Sequence, residues 1–581
     1  MSPSSPLNPI TSLSASENPS IMLPGDVTRE SIDAEICSLK HAILDLKTCR
    51  NTLSDLSRLP PEVLAVVFNG LRHFIRDLYT VTQVCRHWRQ IAFDFPRLWS
   101  NINLAHIKEA REFIIRSKSA PLVLDIPNRL WTSNRSLLTN DVVDLLVQHA
   151  SRICDLRSLS AFDKKSPLIP LFLTHMPRLR NLTMCNPSAS SASPTLFPFP
   201  TLQMCPNIKT LVLSGYSTRW NPENIHSLQE LYVESLDTHE TPSTSELLSI
   251  LSACPQLQQL TFRQAGPKVD ASDNSFRGTF VELPSLQLLT LSTEHEACHI
   301  LFSSLRIPDT ASWDIQCTVT NGDKAVPVTP QWSPSPTQFF SLHVIVNKGT
   351  LRITGTAIDA DSNPIRGNLA LTLTWQLSSE VHWMDWLEMT IGPALGGNTA
   401  KLRLVYGNSW EKESSATRQK TWYRLFALFP DLLYFSIANH FDLKDCSLEE
   451  SFGNAFMEPP PGLGWPRLGL PELRELELLD FNLSPQRGRA MHMLKECLFD
   501  RWGHGAELEK LVLRNCNGIG PEEAEELMED LEDVVTDVQW DGVCREELTD
   551  IEGSEEDEDE SESDASVISC NCNECYSLWH D

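Results

Sequence analysis

The sequence predicts a mixed chain, α+β as a whole and α/β in its larger part: a short all-α module leads into an irregular solenoid of strand-and-helix repeats, with disordered N- and C-terminal tails. Three observations carry this. Helical apolar stripes crowd into Leu59 to Trp99, an L-x-x-L-x-L phrase recurs eight times between residues 177 and 513, and the two ends are dominated by Ser and Pro or by acidic side chains.

With 581 residues, 41% hydrophobic and 21% charged, the chain can bury a sizeable core in more than one folding unit. Its 16 cysteines are scattered from Cys37 to Cys575 without the dense spacing of a disulfide-stapled domain, which predicts a reduced, intracellular protein, cytoplasmic and/or nuclear. The N-terminus has no basic and apolar leader, and nowhere do 18 apolar residues run together, so neither export nor membrane spanning is expected. The formal charge of −28 is local: residues 521 to 581 hold 24 of the 76 acidic residues against the single Arg545. The nearly neutral remainder argues against a large nucleic-acid-binding face.

Residues 1 to 27 are too polar to offset their ordering entropy and read as a disordered arm. From 28 to 56 an amphipathic helix is expected, because Ile32, Ile36, Leu39, Ile43, Leu46 and Leu53 recur at steps of four and three, with Arg50 interrupting the heptad. The following helices are the expected cover for this seam; a coiled-coil dimer is the alternative.

Residues 57 to 104 form the next unit. Leu59 precedes Pro60 and Pro61, which suit an extended lead and a first helical turn, and Glu62 sets a carboxylate near the positive end of the helix dipole. Val63, Leu64, Val67, Phe68 and Leu71 make one helical stripe with Gly70 as the helix stop, and a second stretch starts at Asp77 as N-cap and presents Leu78, Val81, Val84, Cys85, Trp88 and Ile91. So few short helices cannot bury both stripes alone, which calls for a partner or a neighbouring domain.

The order Leu-Pro-x-Glu-aliphatic-Leu, aliphatic-Phe, Asp-Leu, Val-Cys-Arg-x-Trp-Arg and Pro-x-Leu-Trp resembles the F-box motif, in the form that introduces large families of fungal, basidiomycete-like proteins. The resemblance covers about 40 residues and implies docking onto a Skp-family adaptor and, through it, a cullin. Carried over by position, the adaptor-binding residues are Leu59, Pro60, Val63, Leu64, Val67, Phe68, Leu71, Leu78, Val81, Val84, Cys85 and Trp88. Phe74 and Ile75 depart from the polar turn expected between the helices. Arg111 to Ile126 then reads as helix, Ser-rich turn and strand, the junction to a repeat body spanning 105 to 520.

That body is built on PRLRNLTM at Pro177, PNIKTLVL at Pro206, HSLQELYV at His226, PQLQQLTF at Pro255, PSLQLLTL at Pro284, PDLLYFSI at Pro430, PELRELEL at Pro471 and AELEKLVL at Ala506. Leu179, Ile208, Leu228, Leu257 and Leu286 lie 29, 20, 29 and 29 residues apart, enough for a strand and a return segment per repeat. Helical patterns fill several gaps, at SELLSILSAC, WYRLFALF and RAMHMLKECLFDRW, so parallel strands are expected. The phrase is similar to that of leucine-rich repeats, which implies a horseshoe. The Asn or Cys those repeats place three positions on is matched here only by Cys516, against Pro187, Tyr216, Leu236, Ala265 and Glu294, so the horseshoe is expected to be irregular. Residues 310 to 425 break the period, alternating like strands at LRITGTAI and LALTLTWQL and holding Trp313, Trp332, Trp375, Trp383, Trp386 and Trp410; core is the expected role of these rings, an inserted recognition surface the alternative.

No phosphate loop, dinucleotide fingerprint, H-E-x-x-H or G-x-S-x-G occurs, and IGPALGGN has glycines at the wrong spacing with no Lys. His440, Asp442 and Cys446 are close in sequence, which does not assemble a triad. From 521 to 581 an acidic tail is expected, with Ser554, Ser561 and Ser563 set for an acidophilic kinase and Cys570, Cys572, Cys575 and His580 as weak zinc ligands, free cysteines being the simpler reading. The resemblance thus implies a non-catalytic chain without cofactor, the substrate-recognition subunit of a Skp-cullin-F-box ubiquitin ligase, its protein substrate and the binding face for it unknown. A scaffold with the same parts but no ubiquitination role is the alternative, and an enzyme built on the tail zinc site a third.

Overall fold

The computed structural model describes residues 28–127, 140–159, 166–186, 195–196, 204–217, 225–234, 236, 241–269, 280–308, 310–319, 339–347, 349–358, 364–375, 382–395, 399–406, 415–439, 447–457, 468–483 and 489–543, and all that follows concerns these. The N-terminal arm, His440, Asp442, Cys446, Trp332, Trp410, the three tail serines, the three tail cysteines and His580 lie outside them. The chain divides into two compact units, Met1–Lys412 with Arg424–Leu432, and Glu413–Tyr423 with Leu433–Asp581.

The first unit opens with helices. α1 (Arg29–Thr52) starts at Thr28, whose hydroxyl accepts the Ser31 N–H, and buries none of its side chains. The expectation that its seam packs on the following helices therefore fails within this chain. α2 (Pro61–Asn69), α3 (Ile75–Val84) and α4 (Arg86–Asp94) follow. α3 begins two residues before the expected cap at Asp77: extended Phe74 is the N-cap, and Asp77 sits in the first turn, where its carboxylate faces the positive end of the dipole. The second stretch is also two helices, because Cys85 is extended at φ −157° and ψ 170° and its sulfur accepts the Trp88 N–H at 3.4 Å. After α5 (Ile107–Arg116) the chain turns at Lys118, φ 47°, into the sheet.

β1 (Asn101–Asn103), β2 (Leu122–Ile126), β3 (Ile153–Ser158), β4 (Asn181–Cys185), β5 (Thr210–Ser214), β6 (Glu230–Glu234), β7 (Gln259–Arg263), β8 (Leu288–Glu294) and β9 (Ser312–Val319) pair side by side, all parallel. The repeated phrase explains its own spacing. Its first aliphatic residue, Leu179, Ile208, Leu228, Leu257 or Leu286, is buried in the turn, and the next two point inward from the strand two residues apart. The ladder register sets Leu182, Leu211, Leu231, Leu260 and Leu289 abreast. One joint recurs: the carbonyl just before a strand accepts two N–H groups from the next. Arg180 O takes Lys209 and Thr210, Lys209 O takes Gln229 and Glu230, Gln229 O takes Gln258 and Gln259, and Gln258 O takes Gln287 and Leu288, all at 2.7–3.1 Å. The alternate side chains form polar links between neighbouring strands, Asn103 to Asp125 and Asn181 to Asp155 at 3.2 Å and Thr210 to Glu230 at 3.1 Å.

Where the sequence period breaks, β10 (Phe339–Asn347), β11 (Thr350–Ile358) and β12 (Pro364–Trp375) form an antiparallel meander. β12 lies parallel to β9, and β10 parallel to β13 (Thr399–Tyr406), so the meander is spliced into the ladder in reverse chain order. Trp313, Trp383 and Trp386 are buried, the last edge-on to His295 at 4.5 Å, as expected of core rings. Arg424 clasps Glu388 and Asp385 at 2.6–2.7 Å.

The second unit repeats the design with β14 (Tyr434–Asn439), β15 (Glu475–Leu479), β16 (Leu508–Arg514) and β17 (Val535–Trp540), parallel in that order. The joint recurs too: Leu433 O accepts Arg474 and Glu475, and Arg474 O accepts Glu509 and Lys510. The last helix and strand fall in the segment expected to be acidic tail. Pro521–Leu531 is helical because Ala524, Leu527 and Leu531 supply a buried stripe beneath its carboxylates. Arg501, 1% exposed, donates to the carbonyls of Gly469 at 2.6 Å and Leu470 at 2.9 Å, with its guanidinium 4.7 Å from the Phe456 ring.

Two outcomes follow from basic side chains held out of water. Arg501→Ala removes the guanidinium donor from both carbonyls, leaving Leu470 O only the Leu473 N–H, and is expected to destabilise the second unit by about 3 kcal/mol in urea titration. His343 in β10 is half-buried between Arg403 and Arg352, its Nε2 lacks a partner among the described residues, and burial followed by those two charges pulls its pKa from 6.5 to about 4. A base depressed in the folded state contributes stability that is full above 6.5 and lost as pH falls towards 4. His343→Gln is expected to flatten that part of the stability profile between those values, measured as the difference from wild type.

Candidate functional site

α2 to α4 use their apolar residues in two directions. Leu64, Ala65 and Phe68 of α2, Leu78 and Val81 of α3 and Ile91 and Ala92 of α4 are buried. Phe68 meets the half-buried Trp88 ring at 5.1 Å, and Arg89 Nε donates to the Thr82 carbonyl at 2.6 Å, tying α4 to α3. Trp99 anchors the module to the first part of the sheet: it is buried, its Nε1 donates to the Ala92 carbonyl at 2.8 Å, and it meets Phe113 of α5 edge-on at 5.1 Å. The Arg116 guanidinium covers both Trp99 and Phe93, at 4.9 and 5.1 Å.

Of the twelve residues read as adaptor-binding, Pro60, Val63, Val67 and Val84 are exposed, Leu59, Leu71, Cys85 and Trp88 are half-buried, and Leu64, Phe68, Leu78 and Val81 are buried. The single stripe assigned to α2 is thus two. Residues 64, 65 and 68 face inward, while Val63, Val66 and Val67, spaced to share the opposite face, are between 43 and 70% exposed. Val66 is outside the stripe expected from the sequence, although Val63, Val66 and Val67 at i, i+3 and i+4 mark a second one. Phe74, which departs from the polar turn expected there, is 61% exposed at the head of α3. Isolated exposed apolar residues are ordinary; here five, Val63, Val66, Val67, Phe74 and Val84, are exposed on two consecutive short helices and the cap of the second.

Burial pushes the thiols of Cys205, Cys254, Cys497 and Cys516 up to about 12, so each is a protonated core group. Cys516, the one match to the repeat's Asn or Cys position, is buried with its thiol directed at the Leu478 carbonyl at 3.6 Å. Tyr216, Leu236 and Ala265 are buried at that same position in their repeats, whereas Glu294, at the end of β8, is exposed there. No group of three or more His, Cys, Asp or Glu is placed to hold a metal ion among the described residues, and none of their helices is long and apolar enough to cross a membrane.

Residues 56–105 match the F-box-like family model, the same span as the helical module and its Trp99 anchor. One relative is the Arabidopsis thaliana protein named "Putative F-box/LRR-repeat protein 22", 25% identical over 222 residues, covering 36% of this chain and 69% of the relative. The family match, the relative and the parallel-strand body together support an F-box protein with repeats, its F-box-like domain in residues 56–105.

Proposed function

We propose that this chain is the substrate-recognition subunit of a Skp-cullin-F-box ubiquitin ligase, of the fungal type. The observation that carries it is the coincidence of the F-box-like match with a module that keeps Val63, Val66, Val67, Phe74 and Val84 in solvent beside Leu59 and Pro60. These residues form the adaptor surface, and the cullin is reached through the adaptor. Leu64, Phe68, Leu78 and Val81 act through the fold, holding α2 on α3 and α4. The mechanism is proximity: the module holds the scaffold, the sheet holds the substrate, and a separate conjugating enzyme supplies the thioester. We assign substrate selection to the polar side of β2 to β6, where the half-buried Asp125, Glu230 and Glu234 alternate with the buried leucines.

Val63→Asp with Val67→Asp is expected to abolish capture of a Skp-family adaptor while leaving the thermal melt unchanged, because exposed anchors of this kind are worth about 2 kcal/mol or more in the complex alone. Leu64→Ala is expected to lower the melt as well, by the equivalent of about 3 kcal/mol. Undiminished adaptor capture by the double aspartate variant would remove the assignment. In cells, deleting residues 57–100 is expected to raise the abundance of the substrate. Charge reversal at Glu230 and Glu234 is expected to do the same with adaptor capture intact, as read by quantitative proteomics.

A further inference from the structure

α1 presents an apolar seam that nothing in the described chain covers. Ile32, Ile36, Leu39, Ile43, Leu46 and Leu53 are between 41 and 73% exposed, and the helix buries no side chain along its 24 residues. Leaving one aliphatic row of this length in water is unfavourable, and the order of residues within the row says what covers it. In heptad notation Ile36 and Ile43 fall at a, and Ile32, Leu39, Leu46 and Leu53 fall at d. A β-branched residue at a with Leu at d is the combination that favours two parallel strands, since the a side chains pack parallel to, and the d side chains perpendicular to, the facing helix.

The flanking charges agree. Glu35 occupies g and Lys40 the following e, so in a parallel pair in register Glu35 of each copy lies beside Lys40 of the other, twice by symmetry. Arg50 takes one a position near the C-terminal end, a polar interruption that costs stability and pins the register.

We infer that the seam of α1 is the homodimer interface of this protein, a parallel two-stranded coiled coil between two copies of the chain. The 3₁₀ turn Asp55–Arg58 leads directly from α1 to Pro60, so a parallel pair sets both F-box-like modules at the same end of the coil. The inference does not depend on what those modules bind.

Sedimentation equilibrium of the full chain tests it. Wild type is expected at twice the chain mass of 65.4 kDa, and Ile36→Asp with Ile43→Asp at the single mass with an unchanged melt for the rest of the chain, because α1 contributes no buried residue to it. Glu35→Lys and Lys40→Glu are each expected to weaken the dimer about tenfold alone and to recover wild-type affinity when the two chains are mixed. A monomeric wild type, a dimer that survives the double aspartate change, or charge variants that fail to complement on mixing would each overturn the proposal. If the wild type is monomeric and instead loses adaptor binding on Ile36→Asp with Ile43→Asp, the seam belongs to the adaptor.

Discussion

The joint that recurs before β5 to β8, and again before β15 and β16, is the interaction on which the parallel ladders depend. Parallel neighbours cannot be closed by a tight hairpin, so each strand must leave, cross behind and return in register with no covalent guide. The carbonyl at Arg180, Lys209, Gln229 or Gln258 supplies that guide by accepting two N–H groups from the incoming strand, and those at Leu433 and Arg474 do so in the second unit. Once the joint is made, the inward residues of successive strands fall abreast and the leucine rows close. A slip of one residue would turn every one of those leucines to the opposite face.

The joint constrains only where a strand begins, so what lies between strands is free to vary. Between β5 and β6 the return is short, while Thr244–Ser252 and Ala490–Gly503 fill other returns with helix. Buried arginines bind the variable segments back. Arg152 donates to the Ser117 hydroxyl and the Ala120 carbonyl from the start of β3, much as Arg501 reaches the carbonyls of residues 469 and 470. Burial makes each such cation costly, and the carbonyls it satisfies offset that cost.

Much of this was legible in the sequence. Each of the eight leucine phrases forms a strand, because three apolar residues at fixed offsets encode a turn and two inward positions at once. The helical module was legible through the prolines and the Trp and Cys of its motif. What escaped has physical reasons. The burial of α2 by one stripe and the exposure of its other depend on which side α3 and α4 occupy, which no local pattern states. The break at Cys85 is hidden because two short helices in line preserve an apparent apolar period. The helix at Pro521 was obscured by charge, since carboxylates dominate composition even where Ala524, Leu527 and Leu531 keep a buried edge. The extent of α1 was plain, but whether a seam is covered is a property of its neighbours.

The meander of β10 to β12 is an odd number of strands, and this has a consequence for how such chains change over generations. β9 and β13 run in the same direction with the meander between them. A lineage could therefore acquire or shed the three strands as a cassette without reversing β13 relative to β9. Two or four antiparallel strands at that place would turn β13 to run against β9.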